Sequence, residues 1–366
     1  MEENKISIFE KIEDVKEKYS NREIDMICNR QTVNSYSFPF KLFLDLTNYC
    51  NLNCVHCLSA SSSLKSVYLS YKDVTKILDE CIEYGIFKIK LGGGEPLLYP
   101  YFWEIIEYIF NRNSNIRISF STNGTLINQD IINKIIKYNC KISISLDGTE
   151  HIHNAIRKQD IFGIVYKNIK KLINNGIYPI IRLTLMDENI RFVNEIYEIC
   201  EKMQLTLKVR RYKQTSLNNK QLLTYNNDYF EKIEYLNNLP LCDLEDIMKI
   251  NFNDNDVKKD KIIFNSFDCG AGYRSIHINN YGDISPCVFL GNDFIMGNIK
   301  NNTIKDLWDN SPIIKMIREI ENSECKNCNR GILCHNECLA VKLYYTKNIK
   351  GIDPACYKKR MKNKNV

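Results

Sequence analysis

The chain has 366 residues, 44% of them apolar and 26% charged, with a net charge of +6 spread along its length. That is enough sequence for one large barrel or two medium domains with a real core. It holds no apolar run long enough for a membrane span, no charged-then-apolar leader, and no basic stripe interleaved with aromatics. The expectation is therefore a cytoplasmic protein with neither membrane nor nucleic-acid partners.

The first segment, Met1 to Asn34, mixes both charge signs with scattered Ile and Phe, and a helical extension is expected over residues 1–40. A strand-then-helix rhythm begins at residue 41. Leu42–Thr47 alternates and is rich in β formers, and Tyr71–Tyr84 has helical spacing with Ser70 as N-cap. Strands follow at Phe87–Leu91, Ile116–Ser121, Lys141–Leu146, Pro179–Leu185 and Leu205–Arg210. Helices are expected between them at about Tyr101–Asn111, Asp130–Tyr138, Ile164–Asn174 and Phe192–Met203. Six alternating units over 41–212 indicate an α/β protein with a parallel sheet and outer helices, either doubly wound or a partial barrel. Residues 213–264, rich in Asn, Asp and Lys with a helical patch at Tyr229–Leu236, read as a connector. A cysteine-dense segment spans 265–358. The basic tail, from Lys358 to Lys364 in the last residues of the chain, reads as a solvated terminus, with contact to an acidic peptide as the sharper alternative.

In open parallel sheets and barrels, ligands gather at the carboxyl ends of the strands. The unusual loops of this chain fall there. Cys50-x3-Cys54-x2-Cys57 follows the first strand and Gly92-Gly93-Gly94-Glu95-Pro96 the second. Ser121-Thr122-Asn123-Gly124 follows the third and Ser145-Leu146-Asp147-Gly148 the fourth. Four polar or glycine-rich loops on one rim define one shared pocket.

Fifteen cysteines are far too many for a cytoplasmic chain of ordinary chemistry, where clustered thiols usually mean metal. Cys28, Cys81, Cys140 and Cys200 stand alone and read as small buried apolar residues. Three thiolates at CxxxCxxC can hold three irons of a cubane and leave the fourth iron open for a small molecule bearing an amine and a carboxylate. Tetrahedral zinc would need a fourth ligand, for which His56 and His151 are the neighbours, and it would leave the glycine loops without a purpose.

The run Cys50-Asn51-Leu52-Asn53-Cys54-Val55-His56-Cys57 resembles the cluster motif of the radical S-adenosylmethionine superfamily, including the ring-bearing residue before the last cysteine. Gly93-Gly94-Glu95-Pro96 resembles its second-strand motif, whose backbone and Glu bind the methionine amino group. The glycines would let the backbone approach that ligand closely. Ser121 and Asn123 fall on the same rim and are counted with the cofactor contacts. Ser145 and Asp147 match positions that contact the ribose and carboxylate region. Arg157, twelve positions beyond Ser145, matches a carboxylate-binding Arg. His151 and His153 read as packing or loop residues. The resemblance implies a partial (β/α)6, TIM-like barrel that reductively cleaves S-adenosylmethionine to a 5′-deoxyadenosyl radical.

The later cysteines, Cys269-x12-Gly282-x4-Cys287 and Cys325-x2-Cys328-x5-Cys334-x3-Cys338, then Cys356, resemble the SPASM extension. That small α+β module binds two auxiliary 4Fe–4S clusters in radical enzymes acting on peptides. Strands Ser275–Ile278 and Asp283–Ser285 would flank a tight turn at Gly282, and the stretch from Gly297 to Trp308 also resembles that module. The family pattern implies Cys325, Cys328, Cys334 and Cys356 around the outer cluster and Cys269, Cys287 and Cys338 around the inner one. Either the inner cluster has an open iron or Cys242 completes it. A zinc ribbon is the alternative for Cys325 to Cys338 taken alone.

The resemblance thus implies three 4Fe–4S clusters, S-adenosylmethionine, and an electron donor such as flavodoxin or ferredoxin. The expected substrate is a ribosomally made precursor peptide that is cross-linked, oxidised or epimerised. Some 40 residues precede the first strand, too few for a winged-helix peptide-recognition domain, so a separate recognition protein, or the 1–40 segment with the basic tail, would take that role. An anaerobic sulfatase maturase is the alternative, but Val288 stands after Cys287 where those enzymes commonly place an Asp base. Radical tailoring of a small molecule such as a tetrapyrrole is a further reading. A pure electron carrier would need no cofactor pocket. Asp268, Asp283, Asp293 and Glu337 are carboxylates of the cysteine-rich half, and none is singled out as the acid or base.

Overall fold

A computed structural model of the chain describes residues 37–58, 66–217, 220–245, 270–320 and 338–356, without the side chains at 237 and 243–245. The helical extension up to residue 36, Cys28, Cys269, Cys325, Cys328, Cys334, Asp268, Glu337 and the tail from 357 lie outside the described residues.

The strand–helix rhythm takes shape as β1 (Lys41–Asp45), α1 (Tyr71–Glu83), β2 (Lys88–Gly92), α2 (Phe102–Arg112), β3 (Arg117–Thr122) and α3 (Gln129–Lys137). It continues as β4 (Lys141–Ser145), α4 (Glu150–Arg157), α5 (Phe162–Asn174), β5 (Ile180–Leu185), α6 (Val193–Lys202) and β6 (Leu207–Arg211). Strands β1 to β6 pair in chain order and all run parallel. In β1, Leu42 and Leu44 are fully buried while Lys41, Phe43 and Asp45 alternate onto the other face. Each such buried Leu or Ile contributes about 1.5–3 kcal/mol. The helices cover that apolar face with residues at helical spacing, as Val74, Ile77, Leu78 and Cys81 do in α1. Ser70 starts α1 as expected, its hydroxyl accepting from the Asp73 N–H at 3.1 Å. The parallel sheet with outer helices is the partial barrel that the rhythm allowed and the resemblance implied.

Helix α4 was not expected from the spacing, and two further features depart from the reading of the sequence. The connector contains α7 (Asn227–Asn237), where the helical patch was expected, and an unexpected seventh parallel strand, β7 (Cys242–Glu245), paired to β6 with Leu207 opposite Cys242. Cys242 is therefore buried at the amino edge of the sheet, whereas the cysteine loop leaves the carboxyl edge. The strand reads Cys-Asp-Leu-Glu, too short and acidic for its alternation to stand out.

The second departure concerns the cysteine-rich half. Its hairpin, β8 (Ser275–Ile278) and β9 (Asp283–Ser285), does not stand apart: β8 pairs parallel with β1 and extends the barrel sheet. A short β10 (Gly297–Asn298) pairs with β9, giving ten strands in one sheet among the described residues. Gly282, at φ 84°, makes the turn expected of it. Behind the hairpin lie α8 (Ile304–Asn310), α9 (Pro312–Arg318) and α10 (Leu339–Thr346). A smaller second core forms there from Leu290, Phe294, Ile317, Leu339 and Val341. Glu80 of α1 accepts from the Ile304 and Lys305 N–H groups at 3.0 and 2.8 Å, fixing α8 to the barrel.

Candidate active site

The cysteine loop is held by backbone contacts on both flanks. On one side the glycine loop packs against it: Gly94 N–H donates to Thr47 O at 2.7 Å and Glu95 N–H to Tyr49 O at 2.8 Å. A Cβ on Gly93 would stand 2.2 Å from Thr47 O, and one on Gly94 2.2 Å from Tyr49 O; Gly93 also has φ +125°. These two glycines are thus required by loop-to-loop contact within the protein. Reading the sequence assigned their smallness to ligand approach alone. On the other side Val55 N–H donates to Ile156 O at 2.9 Å.

The third-strand loop adds a side-chain bond. Asn123 Nδ2 donates to Asn51 Oδ1 at 2.8 Å, and Asn51 Nδ2 donates to Thr125 Oγ1 at 2.9 Å. Glu95 ties this loop to the second: its Oε2 accepts from the Asn123 N–H at 2.8 Å and its Oε1 from the Leu97 N–H at 3.3 Å. Pro96 opens the short helical turn that Glu95 caps. Burial pushes the Glu95 carboxyl up to about 7, against hydrogen bonds from Asn123, Thr122 and Leu97 that favour the carboxylate.

The fourth-strand loop is electrostatic. Asp147 is fully enclosed, its Oδ1 accepting from the Thr184 N–H at 2.9 Å and its Oδ2 lying 2.5 Å from Arg157 Nη2. Burial raises its carboxyl, but Arg157, His56, His153 and the Thr184 N–H together outweigh burial and hold it below the usual range. His153, fully buried on α4, accepts from the Asp147 N–H through Nδ1 at 3.2 Å, which makes it a packing residue as expected. Arg157 reaches further: its Nη1 stands 3.6 Å from Cys54 Sγ. The guanidinium fork thus stands against Asp147 and Cys54. Ser145 pairs in register with Arg182 of β5. Sequence reading missed Asn51, Thr184 and the Arg157–Cys54 contact, because all three are long-range partners with no local spacing.

The thiols fit an iron–sulfur cluster by their own chemistry. The Cys50, Cys54 and Cys57 thiols are close enough to influence one another electrostatically, and none forms a disulfide. Burial pushes the Cys50 thiol up to about 12, partly offset by the Leu52 N–H, which donates to its sulfur at 3.4 Å. Burial also raises Cys54, opposed by Arg157. N–H donors aimed at cysteine sulfur are what tune a bound cluster. In the second half, Phe289 N–H donates to Cys287 Sγ at 3.4 Å in the same way. Among the described residues no group of three Cys, His or carboxylate side chains is arranged to hold a metal ion, the three thiols of the cysteine loop included. His56 instead faces Asp147 at 3.9 Å. On the inner wall, Ser121 Oγ, His56 Nδ1 and Arg157 Nε are buried without a hydrogen-bond partner among the described residues, as a polar ligand would need.

A cysteine loop pinned beneath three polar loops, at the carboxyl edge of a partial barrel, defines an enzyme that binds a cluster and a small polar cofactor on one rim. Residues 44–200 match the family model described as the Radical SAM superfamily, and residues 269–329 match SPASM, described as an iron–sulfur cluster-binding domain. The chain belongs to the radical S-adenosylmethionine enzymes that carry a SPASM module, and its cofactors are 4Fe–4S iron–sulfur and S-adenosylmethionine.

Among its relatives is the mycofactocin maturase MftC of Mycobacterium ulcerans (strain Agy99), 26% identical over 343 residues, covering 87% of this chain and 88% of that one. The antilisterial bacteriocin subtilosin biosynthesis protein AlbA of Bacillus subtilis (strain 168) is 26% identical over 295 residues, covering 77% of this chain and 62% of AlbA. In fold the chain is similar to Streptococcus suis SuiB bound to the precursor peptide SuiA. The TM-score is 0.70 at 20% identity, covering 90% of this chain and 78% of SuiB. No helix among the described residues is long and apolar enough to cross a membrane.

Proposed function

We propose that this enzyme is a peptide maturase that oxidises or cross-links a ribosomally made precursor peptide in the cytoplasm. The observation that carries the reading is the convergence of the cysteine, Gly93–Pro96, Asn123 and Asp147–Arg157 loops on one rim. The SPASM match, together with relatives named for mycofactocin and subtilosin production, supports a peptide as substrate.

In this reading Cys50, Cys54 and Cys57 hold a cluster that, with S-adenosylmethionine bound, supplies a 5′-deoxyadenosyl radical. Gly93, Gly94, Glu95 and Pro96 form the cradle for the methionine amino group, with Glu95 as acceptor. Ser121, Asn123 and Ser145 line the wall beside the ribose. Asp147 holds Arg157 in place, and Arg157 donates to Cys54 while its buried Nε serves the carboxylate region. Two auxiliary clusters would be held by Cys325, Cys328, Cys334 and Cys356, and by Cys269, Cys287 and Cys338. A flavodoxin or ferredoxin would supply electrons, and a separate protein would present the peptide leader. Val288 in place of an Asp after Cys287 disfavours the sulfatase-maturase reading.

The test is a search beside the gene for a short reading frame, then anaerobic incubation of its peptide with the reconstituted chain, S-adenosylmethionine and a reductant, followed by mass spectrometry. Loss of hydrogen from the peptide, matched by 5′-deoxyadenosine, is the expected result. An unchanged precursor beside conversion of a sulfatase-type Cys peptide to formylglycine would overturn the reading in favour of its rival.

A further inference from the structure

Position 288 offers no titratable group, and an oxidised or cross-linked peptide must lose a proton as well as a hydrogen atom. A carboxylate stands at the carboxyl end of β1, beside the start of the glycine loop. Asp45 closes β1 on the inner face of the sheet, with 22% of its side chain exposed. It lies beside Gly92, where an added Cβ would be 2.7 Å from its Oδ1. Gly92 leads directly into the Gly93–Pro96 loop, so Oδ1 lies against the backbone at the start of that loop.

The other oxygen is held from behind. Asp45 Oδ2 lies 2.9 Å from His277 Nε2, and His277 Nδ1 lies 3.2 Å from Ser285 Oγ. Phe43 is opposite His277 in register, and His277 opposite Ser285, so the three polar side chains cross β1, β8 and β9 on one face. His277 is 5% exposed and Ser285 7%. A carboxylate can only accept, which places an imidazole proton on Nε2, and the Ser285 hydroxyl lies against Nδ1 on the other side of the ring. The same hydroxyl lies 3.4 Å from the Cys287 carbonyl. From the same face Lys41 and Lys90 stand over the Phe43 ring at 4.0 and 6.0 Å. The relay exists because the hairpin of the cysteine-rich half pairs with β1; no local motif announces it.

A half-open carboxylate, oriented by a buried imidazole and hydroxyl, has the form of a general base with a fixed back and a free front. We propose that Asp45, positioned by His277 and Ser285, takes the proton that the substrate loses during oxidative bond formation; this rests on the peptide reading above. Once a substrate C–H has lost its hydrogen atom to the deoxyadenosyl radical, the carbon radical bonds to a substrate heteroatom. The heteroatom–hydrogen bond breaks, its proton passes to Asp45, and the one electron left over reduces an oxidised iron–sulfur cluster of the C-terminal module.

Asp45→Asn separates this role from scaffolding. With the wild-type iron complement, the variant's peptide product is expected to fall by about 100-fold more than its 5′-deoxyadenosine. Asp45→Glu should restore part of the coupling. Independently of turnover, 15N NMR of the histidine-labelled full chain should show His277 protonated on Nε2, with its signals shifted in Asp45→Asn. An unchanged ratio of product to 5′-deoxyadenosine, loss of iron together with both products, or a His277 ring unprotonated on Nε2 would each overturn the proposal. If the wild-type chain forms 5′-deoxyadenosine but alters no peptide, the peptide reading fails, and the relay stands or falls on the tautomer.

Discussion

Replacing Asp353 by Ala would strand one of the most enclosed cations in the chain. Arg211 sits on β6 with 2% of its side chain exposed, and Asp353 is fully buried. The pair is two-pronged, with Nη1 donating to Oδ1 at 2.7 Å and Nη2 to Oδ2. Burial would raise the Asp353 carboxyl, but Arg211 and the N–H donors hold it below the usual range. The carboxylate also accepts from the Ala355 N–H at 2.9 Å and the Cys338 N–H at 3.3 Å, while its own carbonyl accepts from the Cys356 N–H at 2.9 Å. The side chain therefore ties the backbone at Cys338 to the barrel, and the Asp353 backbone holds Cys356 beside it.

Removing one partner of a buried pair costs about 3–5 kcal/mol. The two lost N–H acceptors, at about 1 kcal/mol each, push Asp353→Ala toward the upper end of that range. Anaerobic urea unfolding followed by tryptophan fluorescence reads the effect, since Trp308 is fully buried behind the hairpin. The double variant Arg211→Met/Asp353→Leu, which removes both charges, should regain most of the loss. A single variant within about 0.5 kcal/mol of wild type, against the cost of a stranded charge, would refute the reasoning. A double variant no better than the single would refute it equally.

Three further outcomes are expected. Gly94→Ala, with its Cβ 2.2 Å from Tyr49 O, should displace the cysteine loop. Up to about four irons should be lost, and the 5′-deoxyadenosine yield should fall at least about tenfold; wild-type values would show that the loop yields without consequence. Glu95, raised to about 7, is a neutral acid below that pH and a carboxylate above it. If its carboxylate accepts from the methionine amino group, affinity for S-adenosylmethionine by equilibrium dialysis should weaken about tenfold per pH unit below 7 and level off above. Glu95→Gln should bind weakly with no such slope, and a flat wild-type profile would contradict the assignment. Arg157→Met leaves Asp147 buried without its cation and Cys54 without its donor. Slower, incomplete cluster reconstitution by absorbance is expected, and an unaltered rate would remove Arg157 from cluster support.

The barrel was legible because its signals are local. Alternation such as Leu42/Leu44 and helical spacing such as Val74/Ile77/Leu78 place strands and helices to within a residue or two. The cysteine spacing and the loop after each strand placed the rim for the same reason. What escaped depends on partners far apart in sequence. Strand β7 lacks alternation, and its place is fixed by pairing with β6. The docking of β8 on β1 joins residues more than two hundred positions apart, and the His277–Asp45 bond with it. Glycines 93 and 94 were recognised, but their close contact with Thr47 and Tyr49 was not, since a motif gives composition and not what lies across from it.

The central claim is that Cys50, Cys54 and Cys57 hold the cluster at which S-adenosylmethionine is cleaved. The direct measurement is 5′-deoxyadenosine released by the anaerobically reconstituted, reduced enzyme, compared with the variant in which all three cysteines are Ala. The variant is expected to lose about four irons and all of that product, while keeping the clusters of the C-terminal module. A triple variant that still releases 5′-deoxyadenosine would contradict the account.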